Sequence, residues 1–337
     1  MSFPRNTVVL TTLALATSAF GQAALYSNGS ANSTTPALIT GVNSASGVAA
    51  PAGASWSELA HDGTAANAIA GFSTHTLGGA QAPYRFASRM VVPIGGWRIN
   101  SISFYAYQPG YAGANSPFGA LNLRIWNGVP GNGVATVVWG DDTTNVLGDS
   151  TATDIYRVFN SSPGSLLPAT PDTTRRIWRN DASVGNTLLA AGTYWLDWQF
   201  VPSDPNEDAY SPPITAVGTR AAGTISARQF KTSTLGGAWS DVFDLGKPST
   251  AVDVIADLPY IVRGARGCPA DVASLGGTPI PDGQMTVDDI VAYLSAFFAG
   301  DLVVADVAGL GGSGMPDGQL SADDVVYFLS AFFSPCP

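Results

Sequence analysis

An internal repeat constrains this chain more than any other feature. Residues 271–298 read DVASLGGTPIPDGQMTVDDIVAYLSAFF and residues 306–333 read DVAGLGGSGMPDGQLSADDVVYFLSAFF. Eighteen of 28 positions are identical, without a gap, at a spacing of 35 residues. Each copy ends in an apolar stretch, 290–298 in the first, in which Ile290, Val291, Tyr293, Leu294, Phe297 and Phe298 make one stripe at helical spacing. A short helix cannot bury such a stripe alone. Two copies in tandem therefore predict a pseudo-symmetric pair of loop-plus-helix units that share a core.

The charge of this segment is one-sided. Residues 268–337 contain nine Asp and no Lys, Arg or His, within a chain whose net charge is −10. Nine carboxylates without a counter-charge call for a cation from outside the chain. The preceding residues, 22–267, are close to neutral, and no stretch is basic enough to face a phosphate backbone, which excludes a nucleic-acid partner. Residues 1–21 read as a signal peptide: Arg5 supplies the positive end, residues 8–20 the apolar run, and Ala19 and Gly21 the small residues before a cleavage point. That run is too short to span a bilayer, and no other apolar run reaches about 18 residues. The chain is thus expected to be secreted or held at the extracellular cell surface. That compartment is oxidising, so the only two cysteines, Cys268 and Cys336, are expected to pair.

Residues 22–266 read as all-β. In residues 121–126, Leu121, Leu123 and Ile125 share one face, while Asn122, Arg124 and Trp126 share the other. In residues 194–200, Tyr194, Leu196, Trp198 and Phe200 oppose Trp195, Asp197 and Gln199. Residues 102–107 alternate in the same way. Further strands are expected at 84–92, 136–139, 155–159, 175–178, 223–230 and 259–263, separated by turns such as Pro130-Gly131-Asn132-Gly133. Half-buried alternating strands with turn-rich links predict an antiparallel two-sheet sandwich of the jelly-roll kind.

The loops of the repeat carry the clearest chemistry. Asp282 matches position 5 of a calcium loop and Gly283 position 6, where the chain turns sharply. Gln284 then offers its backbone carbonyl at position 7, Thr286 stands at position 9 and Asp289 at position 12. The second copy supplies Asp317, Gly318, Gln319, Ser321 and Asp324. With Asp271 and Asp306 at position 1, the pattern predicts two Ca²⁺ sites. The same residues admit a plainer reading: Thr286 to Asp289 and Ser321 to Asp324 have the spacing of an N-terminal capping box, and the Asp-Gly pairs suit turns.

Residues 267–337, about a fifth of the chain, resemble a dockerin of the GC type found at the C-termini of secreted planctomycete proteins. Such modules open on Gly-Cys-Pro and close on Cys-Pro, as Gly267-Cys268-Pro269 and Cys336-Pro337 do here. The resemblance implies a small α-helical two-repeat calcium module that docks on a cohesin-like protein receptor. This chain departs from the pattern in one respect. Asp271 precedes Asp282 by eleven residues, and Asp306 precedes Asp317 by eleven, where an ordinary loop has four. Position 3 has no side-chain ligand.

Catalytic patterns in residues 22–266 are sparse. Glu58, His61 and Asp62 are close in sequence, and His75 and Glu207 complete the glutamates and histidines of that region. A cluster such as 58–62 is more often a solvated turn than an acid–base pair. Trp126 and Trp195 instead fall on polar strand faces beside Asn122, Arg124, Asp197 and Gln199, which suits stacking on sugar rings, although tryptophans in strands also serve as core. The expectation is a non-catalytic protein whose sandwich head binds a polysaccharide and whose tail docks. The alternative is a dockerin-bearing polysaccharide hydrolase, which would require two carboxylates facing one another across a cleft.

Overall fold

The structure is a computed structural model that describes residues 23–59, 69–75, 84–93, 95–158, 171–217, 219–220, 225–231, 237–245, 250, 252–278, 281, 284–312 and 317–334. The expected signal peptide, His61, Asp62, Asp282, Gly283 and Cys336 lie outside the described residues. In chain order the strands are β1 (Ala24–Ser27), β2 (Ser55–Glu58), β3 (Phe72–Ser73), β4 (Tyr84–Val92), β5 (Trp97–Ala106), β6 (Phe118–Trp126), β7 (Val137–Gly140) and β8 (Leu147–Val158). They continue as β9 (Arg176–Leu189), β10 (Gly192–Pro202), β11 (Tyr210–Ser211), β12 (Arg228–Lys231), β13 (Ala238–Asp241), β14 (Phe243–Asp244), β15 (Val254–Ile255) and β16 (Tyr260–Arg266). Three helices follow: α1 (Val287–Ala299), α2 (Leu302–Ala305) and α3 (Ala322–Phe332).

The protein is mainly β. One six-stranded sheet runs β1-β16-β5-β9-β8-β2 and the other β13-β12-β4-β10-β6-β7. All neighbours are antiparallel except β2 and β8. The alternation seen in the sequence sets which face each strand buries. Phe86 and Met90 of β4, Leu121, Leu123 and Ile125 of β6, and Leu196, Trp198 and Phe200 of β10 point inward from the second sheet. Ile99, Ile102 and Phe104 of β5 and Tyr260 and Val262 of β16 meet them from the first. Phe104 and Trp198 stack across the gap with ring centroids 4.6 Å apart.

Two strands are longer than their sequence advertises. β8 begins at Leu147 and β9 extends to Leu189, through Gly, Asn and Asp residues that read as turns. Gly185 and Asn186 both have positive φ, and here the register slips: Ile99 pairs with Thr187 but Ser101 with Ser183. The extra residues of β9 form a bulge, which absorbs the turn-like sequence without ending the strand. Conversely, the strand expected at 223–230 starts only at Arg228.

The helices have their own core. The first helix begins three residues before the expected 290–298, at Val287, because Thr286 caps it. Gly300 closes it in the left-handed conformation, with Asp301 N–H donating to the carbonyl of Ala296. Tyr293 of α1 stacks on its repeat-mate Phe328 of α3 at 3.8 Å and 9° between planes. Around that pair gather Cys268, Ala270, Val272, Ala305 and Val307. None of these residues belongs to the core between the sheets.

Candidate functional site

Strand alternation puts a second set of side chains on the outer face of the sheet containing β4, β6, β10, β12 and β13. Register aligns them: Trp239 opposite Phe230, Phe230 opposite Arg85, Arg124 opposite Asp197, and Trp126 opposite Trp195. Arg85, Arg124, Trp126, Asp142, Gln199, Phe230 and Trp239 line a cavity of about 510 Å³ on this face. Its aromatic wall is seated by glycines. A Cβ on Gly131, which has positive φ, would lie 2.8 Å from Trp239 Cδ1, and one on Gly237 would run into the ring of Phe230. Phe230 and Trp239 lie 5.5 Å apart between centroids.

Its floor is charged. Asp197 is fully buried, and its Oδ1 accepts from Arg85 Nε at 2.7 Å. Asp197 Oδ2 accepts from Arg124 Nε at 2.7 Å and from Trp126 Nε1 at 3.0 Å. Arg85 Nη2 also donates to the Asp197 carbonyl, and Gln199 Nε2 donates to the carbonyl of Tyr84. Burial holds the Arg85 guanidinium below its usual pKa, the neighbouring charge of Arg124 acts in the same direction, and Asp197 opposes both. Arg124 reaches outward as well: Nη1 donates to Asp142 Oδ2 at 3.1 Å, and its Cζ lies 5.2 Å from the Trp126 ring centroid.

Of the six residues expected to bind ligand, Arg124, Trp126 and Gln199 line the cavity and Asp197 organises it from beneath. Two do not have the expected role. Trp195 is 5 % exposed and is not among the lining residues, so it packs rather than presenting a stacking face. Asn122 is buried, and its Nδ2 donates to the carbonyl of Thr144, tying down the turn that carries Asp142. Asp141 shapes that turn from within by accepting from Thr143 and Thr144, and those bonds pull its carboxyl below the usual range. Arg85, Asp142, Phe230 and Trp239 were not singled out from the sequence. Of the expected 58–62 cluster, Glu58 is buried and accepts from the backbone N–H of Ala45. His75 is also buried, with Nε2 3.2 Å from Asp208.

In the tail, Asp289 is fully buried, and its Oδ1 accepts from the backbone N–H groups of Val272 and Ala273, both at 2.8 Å. Its Oδ2 accepts from Thr286 N and Oγ1. Asp324 repeats this with Val307, Ala308 and Ser321. Thr286 and Ser321 complete two capping boxes, accepting from Asp288 N and Asp323 N. Asp306 accepts from Asp317 N and Gly318 N, and Asp317 from Gln319 N. Asp271 is buried beside the segment that Asp289 holds. A carboxylate oxygen has two lone pairs, and both oxygens of Asp289 and of Asp324 already take two donors each. The residues at position 12 therefore do not fit a bidentate Ca²⁺ ligand in this arrangement. Among the described residues no group of three or more His, Cys, Asp or Glu side chains is placed to hold a metal.

Cys268 lies in the tail core and is not a free thiol. Among the described residues no helix is long and apolar enough to cross a membrane. No protein-family model, curated protein or solved structure matches the chain. Function is therefore read from the site itself.

Proposed function

We propose that this chain is an extracellular, non-catalytic binding protein, with a jelly-roll-like head that takes a saccharide and a dockerin-like tail that docks on a protein partner. The observation that carries the reading is the convergence of Trp126, Phe230 and Trp239 on one cavity with Arg85, Arg124 and Gln199. Flat rings offer the apolar faces of a sugar a surface, while the Arg124 guanidinium and the Gln199 amide supply polar groups for its oxygens. Hydrolysis would call for two opposed carboxylates. Asp142 is the one carboxylate among the described lining residues, and Asp197 beneath it is taken up by three donors.

For the tail, the support is an apolar surface that the repeat duplicates. Val291, Leu294 and Phe298 of the first copy are exposed, and so are their counterparts Val326, Leu329 and Phe333. Paired apolar sets on two related helices suit a protein receptor of the cohesin-like kind. Calcium is not needed for this reading, since backbone N–H groups supply what the position-12 carboxylates require. Pairing of Cys268 with Cys336 would close the module at its two ends. Thiol titration of the unreduced protein tests that pairing, and a free thiol would refute it.

The head is tested by binding to a panel of soluble polysaccharides in affinity electrophoresis. Trp239→Ala and Trp126→Ala should each abolish retardation by the ligand. Both residues are only half-buried, so the melting temperature should fall much less than for truncation of a core aromatic, which costs about 3–5 kcal/mol. Retardation that survives both substitutions would sink the cavity as the site.

A further inference from the structure

Two guanidiniums, Arg85 and Arg124, share the single buried carboxylate of Asp197. Among the described residues, the remaining positive charge is answered by Asp142, whose side chain is 52 % exposed against 19 % for Arg124. That contact is monodentate: Asp142 Oδ2 meets Nη1 alone. Among the described residues nothing accepts from Arg124 Nη2. The two-pronged outer edge of a guanidinium matches the two oxygens of a planar carboxylate. Here one prong is occupied by a solvated, replaceable partner and the other is free, at the mouth of a cavity walled by Trp126, Phe230 and Trp239.

We infer that the cavity selects an acidic saccharide, and that the carboxylate of a uronic-acid residue displaces Asp142 to pair with both Nη atoms of Arg124. The inference rests on the saccharide-binding reading above and narrows it to a ligand class. Asp142 then acts as a stand-in for the ligand's acid group. It keeps Arg124 oriented in the empty cavity and competes with the ligand for it. Arg85 is buried and held by Asp197 on Nε and Nη2, so it sets the field of the floor rather than meeting the ligand directly. The pocket turns remain in place when Asp142 lets go, because Asp141 and Asn122 hold the turn independently.

Calorimetric titration of the full chain separates the outcomes. The probes are a galacturonic-acid trimer, its methyl ester, a sulfated galactose oligomer, and neutral cello-, xylo- and manno-oligosaccharides. The acid should bind about tenfold or more tighter than its ester, the range of a charge-assisted bidentate pair, and the preference should shrink as salt is raised. Asp142→Asn removes the competing charge and should tighten acid binding more than ester binding. Arg124→Lys keeps a positive charge beside Asp197, so it preserves the fold better than a neutral replacement. It removes the fork and should erase most of the preference for acid over ester. Equal affinity for acid and ester, tighter binding of the sulfated oligomer than of the uronate, or weaker acid binding by Asp142→Asn would each overturn the inference. Binding of neutral sugars alone, lost in Trp239→Ala, would overturn it while leaving the saccharide reading intact. Binding of none of the probes at millimolar concentration would overturn both.

Discussion

Asp197 is a single buried charge with three donors, two of them cationic. Its strand neighbours explain why it can be there: Arg85 from β4 and Arg124 from β6 flank it in the sheet, so its desolvation is compensated from both sides. Asp197→Asn preserves its shape and removes that compensation. The amide nitrogen would face a donor, and the two guanidiniums would face each other. Removing one partner from a buried pair costs about 3–5 kcal/mol, and we expect a loss of that order in chemical denaturation of the head. A loss below about 1 kcal/mol would mean that the arginines simply turn to water. The site was legible in the sequence where alternation was clean. Arg124, Trp126, Asp197 and Gln199 all stood out as polar or aromatic residues on regular strands. Arg85 was hidden because it shares its strand face with Ala87, Arg89 and Val91, with no aromatic or amide beside it to mark a binding surface. Phe230 and Trp239 were hidden because β12 and β13 have four residues each, too few to show a period. Trp195 was misread for the opposite reason. Period two gives the face of a residue but not whether neighbouring strands cover it.

At the scale of elements, the tail depends on two carboxylates that each bind one segment of loop to one helix start. Asp289 and Asp324 gather backbone donors from the beginning of their repeats, sixteen and seventeen residues back. This explains the repeated Asp better than propensity does, since Asp is a mediocre residue inside a helix and a good one in its first turn. It also gives the loop's extra length a function. Gly276 and Gly311 donate to the preceding carboxylates of the pair, Asp288 and Asp323, so each Leu-Gly-Gly tip is tied back to its own helix. We therefore expect the helical circular-dichroism signal to survive excess chelator. Asp324→Asn, which leaves buried N–H groups without an acceptor, should destabilise the tail by about 2–3 kcal/mol. Collapse of the helical signal on chelation, restored by millimolar Ca²⁺, would return these residues to the role of ligands. Sequence spacing could not separate the two roles, because a calcium loop and a capping box place an acidic residue at the same distance from the hydroxyl. The sheets show a comparable limit. β9 crosses Gly185 and Asn186 because β5 holds it before and after them, Ser101 pairing with Ser183 and Ile99 with Thr187, and a strand whose ladder resumes beyond a bulge can carry residues that local sequence would read as a turn.

Across the whole molecule, the decisive feature is that the main apolar clusters of head and tail share no residue. The first fills the space between the sheets, with Trp198 at its centre against Phe86 and Phe104. The second is built on Tyr293 and Phe328, and joins only residues from Cys268 onward. The passage between them is narrow but close-fitting: Gly267 N–H donates to the carbonyl of Gly96, and a Cβ at Gly267 would collide with the carbonyl of Gly95. A backbone contact of this kind fixes where the chain leaves the head, and neither of these clusters extends across it, so the two unfolding reactions are expected to be separate. Calorimetry should then resolve two transitions. Phe328→Ala should lower only the tail's and Trp198→Ala only the head's, each by the equivalent of about 3–5 kcal/mol. The ligand of the cavity should raise only the head's transition, in proportion to the logarithm of its concentration above Kd. A single transition shifted by both substitutions would show instead that the Gly95–Gly267 contact transmits stability, and binding at the head would then be felt at the docking surface of the tail. Independent transitions are what the proposed division of labour requires, with recognition assigned to the head and docking to the tail, each free to be replaced without unfolding its neighbour.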